Sequence, residues 1–530
     1  MKKIACLFAV AFLLSGTAAF AQGEMDAYKF SQTELNGTAR YLSMGGAFGA
    51  LGGDISSMTS NPAGLGVYRS SEVVTTISLS GINTSSNLNG SSMSESKTKF
   101  SFDNIAYVGY FPTGNDTGIK GWNIGIAYNR TKNFNRNYTV SGSQGASLAN
   151  YVADKSYGIH VDDLTLVKDK YDPYNNTDLG GNWLSILGFE GGYFETYPDA
   201  TSDYHSALGE WVNNKWVDSS PKSSRLNVNE KGSVDKYDFS FATNISDLVF
   251  LGATFAVTDL NYSYLSKYDE DFGGKDRLYL DNGLTTDGTG YSFNIGAIVR
   301  PVEFLRVGVA YNSPTWYKMT DYYHAEAGTY ITGLTPPGLD AVTPDYQYSE
   351  SQLRTPDKWI FSAAAILGQS ALLSVDYELS NYKSMRLYDN NGNAFIYEND
   401  YIKTDFGLER MLKVGAEVKV TPQFAVRAGG AWQTSSVKSH LKDGSMEVFT
   451  AGTIPNYTVD KGSSYYSVGL GYRFTPNFYA DLTCIYREQK ENVFAFSNTY
   501  LDDHSVMVKS DPATMKTKST RVALTLGYKF

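Results

Sequence analysis

Two-residue alternation of apolar and polar positions runs through most of this chain and is clearest at its end. In TRVALTLGYKF (520–530), Val522, Leu524, Leu526, Tyr528 and Phe530 share one face, while Arg521, Ala523, Thr525, Gly527 and Lys529 share the other. Successive side chains of a strand point to opposite sides, so such a run is a strand with one apolar and one polar face. The period returns in YSVGLGYRF (466–474), LKVGAEVKV (412–420) and LRVGVAY (305–311), with Arg473, Lys413, Lys419 and Arg306 opposite the apolar stripe. A soluble sandwich would turn its apolar faces inward against a partner sheet. Charges recurring on the second face instead predict a barrel with a wet lumen and a lipid-facing exterior.

Period and turn signals place strands at 71–82, 102–111, 121–133, 235–246, 248–265, 288–300, 302–319, 356–367, 370–386, 411–420, 422–437, 463–474, 477–489 and 519–530. That is about 14, an even number, as a single-chain barrel with both ends periplasmic requires. Tight links such as 245–247, 300–302 and 421–422 alternate with longer ones, the asymmetry of periplasmic turns and extracellular loops. The longest link, 134–234, is rich in Tyr, Trp, Asp, Asn and Gly, and reads as a folded extracellular cap.

The first 21 residues add a compartment. Lys2 and Lys3, an apolar run from Ile4 to Leu14, and the exit Ala19-Phe20-Ala21 form a secretory signal peptide, predicted to be cut after Ala21. A spanning helix needs about 20 apolar residues, which this run lacks, and no later stretch reaches that length. Loss of Lys2 and Lys3 from 45 basic residues leaves 43 against 55 acidic ones, which excludes nucleic acid as the expected partner. Cys6 leaves with the leader, so Cys484 has no partner for a disulfide. Forty Tyr, 50 Gly and a mean hydropathy of −0.30 suit a barrel in which only alternate residues meet lipid. The localisation expected is the outer membrane of a Gram-negative bacterium.

Residues 28–79 then become informative. They contain a Gly-Gly-Ala-Phe segment with Gly45 and Gly46, an Asp (Asp54) before a Ser-rich stretch, and Asn61-Pro62-Ala63-Gly64-Leu65 just before the first strand. With the later echoes RVGVAYNSPTWY (306–317), TPDKW (355–359), VGAEVKVTPQFAVRAGGAW (414–432) and SVGLGYRFTPNFYADL (467–482), this resembles the FadL (OmpP1/FadL/TodX) family of outer-membrane hydrophobic-compound transporters. The resemblance implies a 14-stranded barrel plugged by an N-terminal hatch at 22–69, with the barrel at 70–530. It also implies uptake of hydrophobic or amphipathic molecules such as long-chain fatty acids, by capture outside and hatch-gated lateral release into the membrane. Outer-membrane lipid, and the assembly machinery that reads a terminal strand ending in Phe530, are the other partners so implied, and the chain is read as a monomer. Two features depart from the family pattern: the size of the 134–234 link, and the lumen-face charges Arg306, Arg427, Arg473, Arg521, Lys413, Asp376 and Glu378. Inward charges form ion pairs that stiffen the wall; the sharper reading is that some of the arginines bind a ligand carboxylate.

The remaining motifs bear on catalytic and metal chemistry. His160, His205, His324, His440 and His504 all fall in predicted extracellular loops, and Asp502-Asp503-His504 supplies no specified nucleophile, so no enzyme is expected. DNNGN (389–393) lacks the glycine spacing of a calcium loop, Asp269-Glu270-Asp271 reads as a solvated run, and Phe272-Gly273-Gly274-Lys275 lacks phosphate-loop spacing. No metal or cofactor is predicted. The alternative function is an accessory barrel of a secretion system that docks protein cargo through its loops; a general porin would lack the hatch.

Overall fold

The computed structural model describes residues 23–500 and 506–530, apart from residues 177, 178, 180, 181, 345, 346, 369 and 451. The predicted leader and Asp502-Asp503-His504 lie outside the described residues. Fourteen antiparallel strands form the wall: β1 (Glu72–Leu88), β2 (Ser91–Pro112), β3 (Ile119–Asn133, continued by Arg136–Gly142), β4 (Ser223–Ile245), β5 (Val249–Gly273), β6 (Asp276–Val302), β7 (Leu305–Asn312 and Trp316–Tyr330), β8 (Gln347–Arg354 and Lys358–Leu367), β9 (Ala371–Asn381 and Arg386–Asp389), β10 (Leu408–Lys419), β11 (Phe424–Gln433), β12 (Tyr457–Arg473), β13 (Phe478–Phe494) and β14 (Ala513–Lys529). β14 pairs back onto β1 from Glu72 with Lys529 to Asn87 with Thr514, so the sheet closes on itself. Ser71 and Phe530 exchange backbone hydrogen bonds of 3.1 and 3.0 Å at the foot of this seam. No helix among the described residues is long and apolar enough to cross a membrane.

Along each strand exposed apolar residues alternate with buried ones. Ile124 and Ile126, Phe239 and Phe241, Phe293 and Ile295, and Val522 and Leu526 are all exposed. Large apolar side chains exposed all round a closed wall are tolerable only against lipid. Cys484 is among the exposed positions.

Each strand matches its predicted segment, and most run further on the extracellular side. Residues 83–101 and 266–287, read from sequence as long links, are strand joined by the tight turns at Asn89-Gly90 and Gly273-Gly274. Above the bilayer both faces of a strand are polar, as in SSMSESKTK, so the apolar period that reports a strand disappears while the ladder continues. The cap is correspondingly shorter than 134–234, because residues 136–142 and 223–234 are wall strand. His324 likewise belongs to β7 and not to a loop.

The cap does fold. Helices α4 (Leu148–Lys155) and α5 (Trp183–Glu190) pack together with the hairpins Phe194–Thr196/Tyr204–Ser206 and Gly209–Val212/Lys215–Asp218. Its core, including Trp183, Ile186, Leu187 and Tyr193, is continuous with lumen-facing Tyr262 and Leu280. Glu270 anchors it: its carboxylate accepts from Ser147 Oγ (2.5 Å), the Leu148 N–H (2.8 Å) and Tyr268 Oη (2.7 Å). The middle of the Asp269-Glu270-Asp271 run is therefore a buried fastener and not a solvated charge.

Residues 23–71 lie inside the barrel. They comprise α1 (Glu24–Ser31), α2 (Ala39–Ser43), α3 (Ser57–Ser60) and a 3-10 turn (Pro62–Val67), joined by irregular backbone. Leu35, Tyr41, Leu42, Met44, Phe48 and Leu51 pack against Ala364, Ala431, Tyr465 and Ile485 of the wall.

Candidate functional site: hatch, cavity and wall gap

The hatch is held by its own polar residues and by the wall. Asp54 is buried and its carboxylate accepts from Thr38 Oγ1 (2.9 and 2.8 Å) and from the Ser56 N–H (2.9 Å), cross-linking two parts of the plug. Asn61 caps the 3-10 turn by accepting from the Ala63 N–H (3.1 Å) and donates from Nδ2 to the carbonyls of Gly49 (2.6 Å) and of Ala297 in β6 (3.3 Å). Pro62 starts that turn, where its missing N–H has no bond to lose. Ala63 packs on Phe250 and Ile298, Leu65 on Ile55, Met58 and Val108, and the Gly64 carbonyl accepts from the Gly53 N–H (3.0 Å). Gly45 and Gly46, at φ +61° and +73°, turn the chain after α2 through a conformation that side-chain-bearing residues rarely adopt.

Glycines on the lumen face receive this plug. Gly415 and Gly429 face each other across β10 and β11, and a Cβ on either would lie 2.3 Å from the Met44 carbonyl oxygen or 2.2 Å from the Gly45 nitrogen. Gly252 and Gly296 make the same room for Pro62 and Asn61. Strand glycines at close backbone approach mark a seat for another chain segment. Charges complete it: Asp376 accepts from the N–H groups of Phe48 (3.0 Å) and Gly49 (2.9 Å), and Arg40 of α2 pairs with Glu417 (2.9 Å). Glu417 in turn pairs with Arg427, which reaches Asp481, both at 2.5 Å. At the periplasmic exit Asp247 joins Arg69 to Lys120. The hydrogen bond from Lys120 first, with Asn244 and Arg69 adding to it, outweighs a small burial cost and lowers Asp247 to about 2.

Above the hatch lies a cavity of about 180 Å3. Its lining combines the apolar Leu35, Ile82, Phe134, Leu284, Ile454 and Ile485 with a set of charged side chains. Most of those charges are paired: Arg136 with Glu230 (2.8 Å) and Glu491 (2.5 Å), Arg130 with Asp235 (2.9 Å), Arg487 with Glu34 (2.6 Å). Burial raises Glu34, but Arg487, Lys132 and Arg521 outweigh it and hold the carboxylate below its ordinary range. Lys132 and Arg521 make no ion pair among the described residues. Lys132 donates to the Lys29 carbonyl (2.5 Å), and Arg521 to the Leu35 carbonyl (2.6 Å) and Asn36 Oδ1 (3.1 Å).

The cavity adjoins a break in the wall. β2 pairs with β3 only from Asn104–Asn129 to Pro112–Gly121. Beyond a bulge at Arg130/Lys132, β3 turns at Phe134-Asn135 and follows β4 alone, leaving the β2 edge from residue 91 to 103 without ladder bonds on that side. The Asn-rich sequence NRTKNFNRN permits the turn: Asn133 Oδ1 accepts from the Asn135 N–H (3.0 Å), and the Phe134 N–H donates to the Gly232 carbonyl (3.0 Å). Among the described residues, the hydrogen bonds across the gap come from side chains, Lys97 to Asn137 (3.0 Å) and to the Glu230 carbonyl (3.3 Å), Thr139 to Glu95 (3.0 Å) and Asn133 to Ser101 (3.4 Å). Phe100 and Phe102 are exposed on its outer side.

A closed 14-stranded wall around an N-terminal plug sets the context for comparison with known proteins. The family described as "Outer membrane protein transport protein (OMPP1/FadL/TodX)" matches residues 263–530. This chain belongs to the OMPP1/FadL/TodX family. A 47 kDa outer membrane protein of Pasteurella multocida is 23% identical over 256 residues, 47% of this chain and 52% of that protein; the chain thus spans about half the length of this curated relative. Among solved structures, a Pseudomonas aeruginosa FadL homologue superposes with a TM-score of 0.52 at 16% identity, covering 94% of this chain and 99% of that one. The P. putida toluene transporter TodX gives 0.50 at 11% identity, with 94% and 99% covered. The family places the protein in the outer membrane, among transport proteins and not enzymes.

Within this FadL-family framework the four lumen arginines separate. Arg427 lies in the hatch-docking charge network, Arg306 donates to the Leu51 carbonyl, and Arg473 is exposed at the periplasmic rim; only Arg521 lines the cavity. Sequence reasoning missed Lys132, Arg136, Glu230 and Arg487. The signal for Lys132 and Arg136 was the loss of alternation in NRTKNFNRNYT, where β3 turns away from β2; Glu230 and Arg487 carried none.

Proposed function

We propose that this family member takes up hydrophobic molecules carrying an anionic head, of long-chain fatty-acid type, and releases them sideways between β2 and β3. The reading is carried by the juxtaposition of an amphipathic cavity, two cations that form no ion pair among the described residues and donate to neutral oxygens, and an adjoining stretch of wall without ladder bonds. A ligand tail gains by staying out of water along the whole path, and a carboxylate beside Lys132 and Arg521 would gain charge-assisted hydrogen bonds. In this reading the hatch blocks the periplasmic route, and Asn61 holds it shut through Gly49 and Ala297. The cargo-docking alternative is disfavoured, because the family consists of transport proteins.

Mass spectrometry of lipid extracted from the purified protein tests this. Stoichiometric fatty acid or another acidic amphiphile is expected, and its loss from a Lys132→Met/Arg521→Met variant. Recovery of neutral hydrocarbon alone, or unchanged recovery from the variant, would refute the anionic-head assignment.

A further inference from the structure

The register of β3 to β5 sets two lysines side by side on the lumen face. Lys132 of β3 stands opposite Val234 of β4, and Lys236 is the next inward residue along β4. Such diagonal neighbours lie about 7–8 Å apart, within reach of long side chains. The cross-strand partners of Lys236, Asn129 and Thr258, are neutral. Lys132 donates to the Lys29 carbonyl (2.5 Å) and makes no ion pair among the described residues. The Lys236 ammonium donates to no acceptor among the described residues; its ion pair is a long one, 3.9 Å to Asp238, whose carboxylate already accepts from Asn129 (2.7 Å). Like charges held together in a largely buried place are unfavourable unless an anion joins them.

Space for that anion is present. A second cavity, of about 180 Å3, is lined by both lysines and adjoins the first across Lys132 and hatch residues 32–36, which belong to no helix or strand. One water needs only about 10–15 Å3. The carboxylates of its lining are engaged, Glu34 by Arg487 (2.6 Å), and Glu378 by Lys413 (2.5 Å) and Lys358 (3.4 Å). Thr33, Thr131 and Thr315 add hydroxyl groups to the lining, of which Arg521 is not part. A carboxylate carries a single charge on a pair of oxygens. A phosphate monoester carries nearly two charges and three acceptor oxygens at neutral pH, which matches a pair of ammonium groups. We propose that this second compartment is a phosphate subsite: the head of a phosphorylated amphiphile is held between Lys132 and Lys236 while its tail lies in the first cavity. This deepens the proposed uptake, on which it rests for the place of the tail, by widening the head from carboxylates to phosphate monoesters.

Isothermal titration calorimetry of the protein purified in a neutral maltoside detergent tests this with dodecyl phosphate, dodecanoate and inorganic phosphate. At pH about 8 the monoester is a dianion. Lys236 does not line the first cavity. Lys236→Met should therefore weaken dodecyl phosphate at least about tenfold, the scale of one lost charge-assisted hydrogen bond, and change dodecanoate by less than about twofold. Lys236→Arg should restore the phosphate affinity, and heat-modifiable gel mobility reports that each variant's barrel is folded. Binding of dodecyl phosphate that is indifferent to Lys236→Met would overturn the subsite. If Arg521→Met meanwhile abolishes dodecanoate binding, the uptake reading survives that failure. Dodecanoate indifferent to Arg521→Met, with dodecyl phosphate still dependent on Lys236, would refute the carboxylate reading and leave the subsite standing. The buried tail should make the ester at least about tenfold tighter than inorganic phosphate. Inorganic phosphate that binds as tightly as the ester would assign the site to the free ion and overturn its role for a lipid head.

Discussion

The glycine seat offers a perturbation that separates the hatch from the wall. In Gly429→Ala the new Cβ would lie 2.2 Å from the Gly45 nitrogen and from the Met44 carbonyl carbon. Non-bonded carbons settle at about 3.5–4.0 Å, so Met44-Gly45 must withdraw by roughly 1 Å. The atoms in the way are backbone of a buried turn and not the end of a flexible side chain. Overpacking of this kind costs about 1–3 kcal/mol. Withdrawal also weakens the bond between the Gly45 N–H and Ser467 Oγ (3.3 Å). Gly429 itself has no left-handed φ, so alanine suits the strand, and the wall is neutral or gains up to about 1 kcal/mol. The penalty therefore falls on hatch docking alone. Hydrogen exchange by mass spectrometry should show peptides covering 39–53 opening about 5- to 150-fold more often, while β10–β12 peptides and heat-modifiable gel mobility stay unchanged. Adding Gly415→Ala, which meets the same Met44, should worsen the effect. Hatch exchange equal to wild type in the double variant would show that the glycines do not seat the plug.

Four further outcomes are expected. Lys132→Met should weaken binding of a fatty acid about 10- to 100-fold, the scale of one charge-assisted hydrogen bond, and leave a neutral hydrocarbon of equal length unaffected in a ligand-displacement titration. Cysteines at Ser101 and Asn133, whose side chains are 3.4 Å apart across the gap, should form a disulfide in a Cys484→Ser background and block uptake into proteoliposomes until reduced; uptake that continues while oxidised would exclude this exit. Asn61→Ala should destabilise hatch docking by about 1–3 kcal/mol, because the Gly49 carbonyl loses its donor and the 3-10 turn loses its cap, with proteolysis of the hatch as the measure. Asp247 is depressed from 3.8 to about 2, so its contribution is present above pH about 4 and is lost as pH falls through about 2. The group is partly exposed and screened by solvent, so the change is below about 1 kcal/mol, read as hatch proteolysis rising over that window in wild type and flat in Asp247→Asn.

The barrel was legible from sequence because lipid and a wet lumen impose opposite demands on alternate residues. Val522, Leu524, Leu526 and Tyr528 against Arg521, Thr525 and Lys529 record that contrast directly. The upper strands were not legible, since residues 91–99 face water or other polar groups on both sides and their ladder leaves no trace in hydropathy. Gly45, Gly46 and Asp54 were recognisable as turn and plug residues through the family resemblance. The mates of the plug were visible only as lumen-side glycines whose purpose alternation does not explain.

Taken alone, the sequence determined the wall: a period of two, repeated between turn signals, closes into about 14 strands because every lipid-facing backbone group must find a partner. It also determined that an irregular, glycine-rich segment precedes that wall. Only the tertiary structure decided which charges are spare. Arg427, Arg306 and Arg521 have the same place in the strand pattern, yet one lies in an ion-pair network, one holds the hatch and one faces the cavity. It alone brought Asn133 of β3 beside Ser101 of β2 without a ladder between them. Local periodicity reports which side of a strand a residue occupies, whereas partners and gaps depend on register and on what fills the lumen.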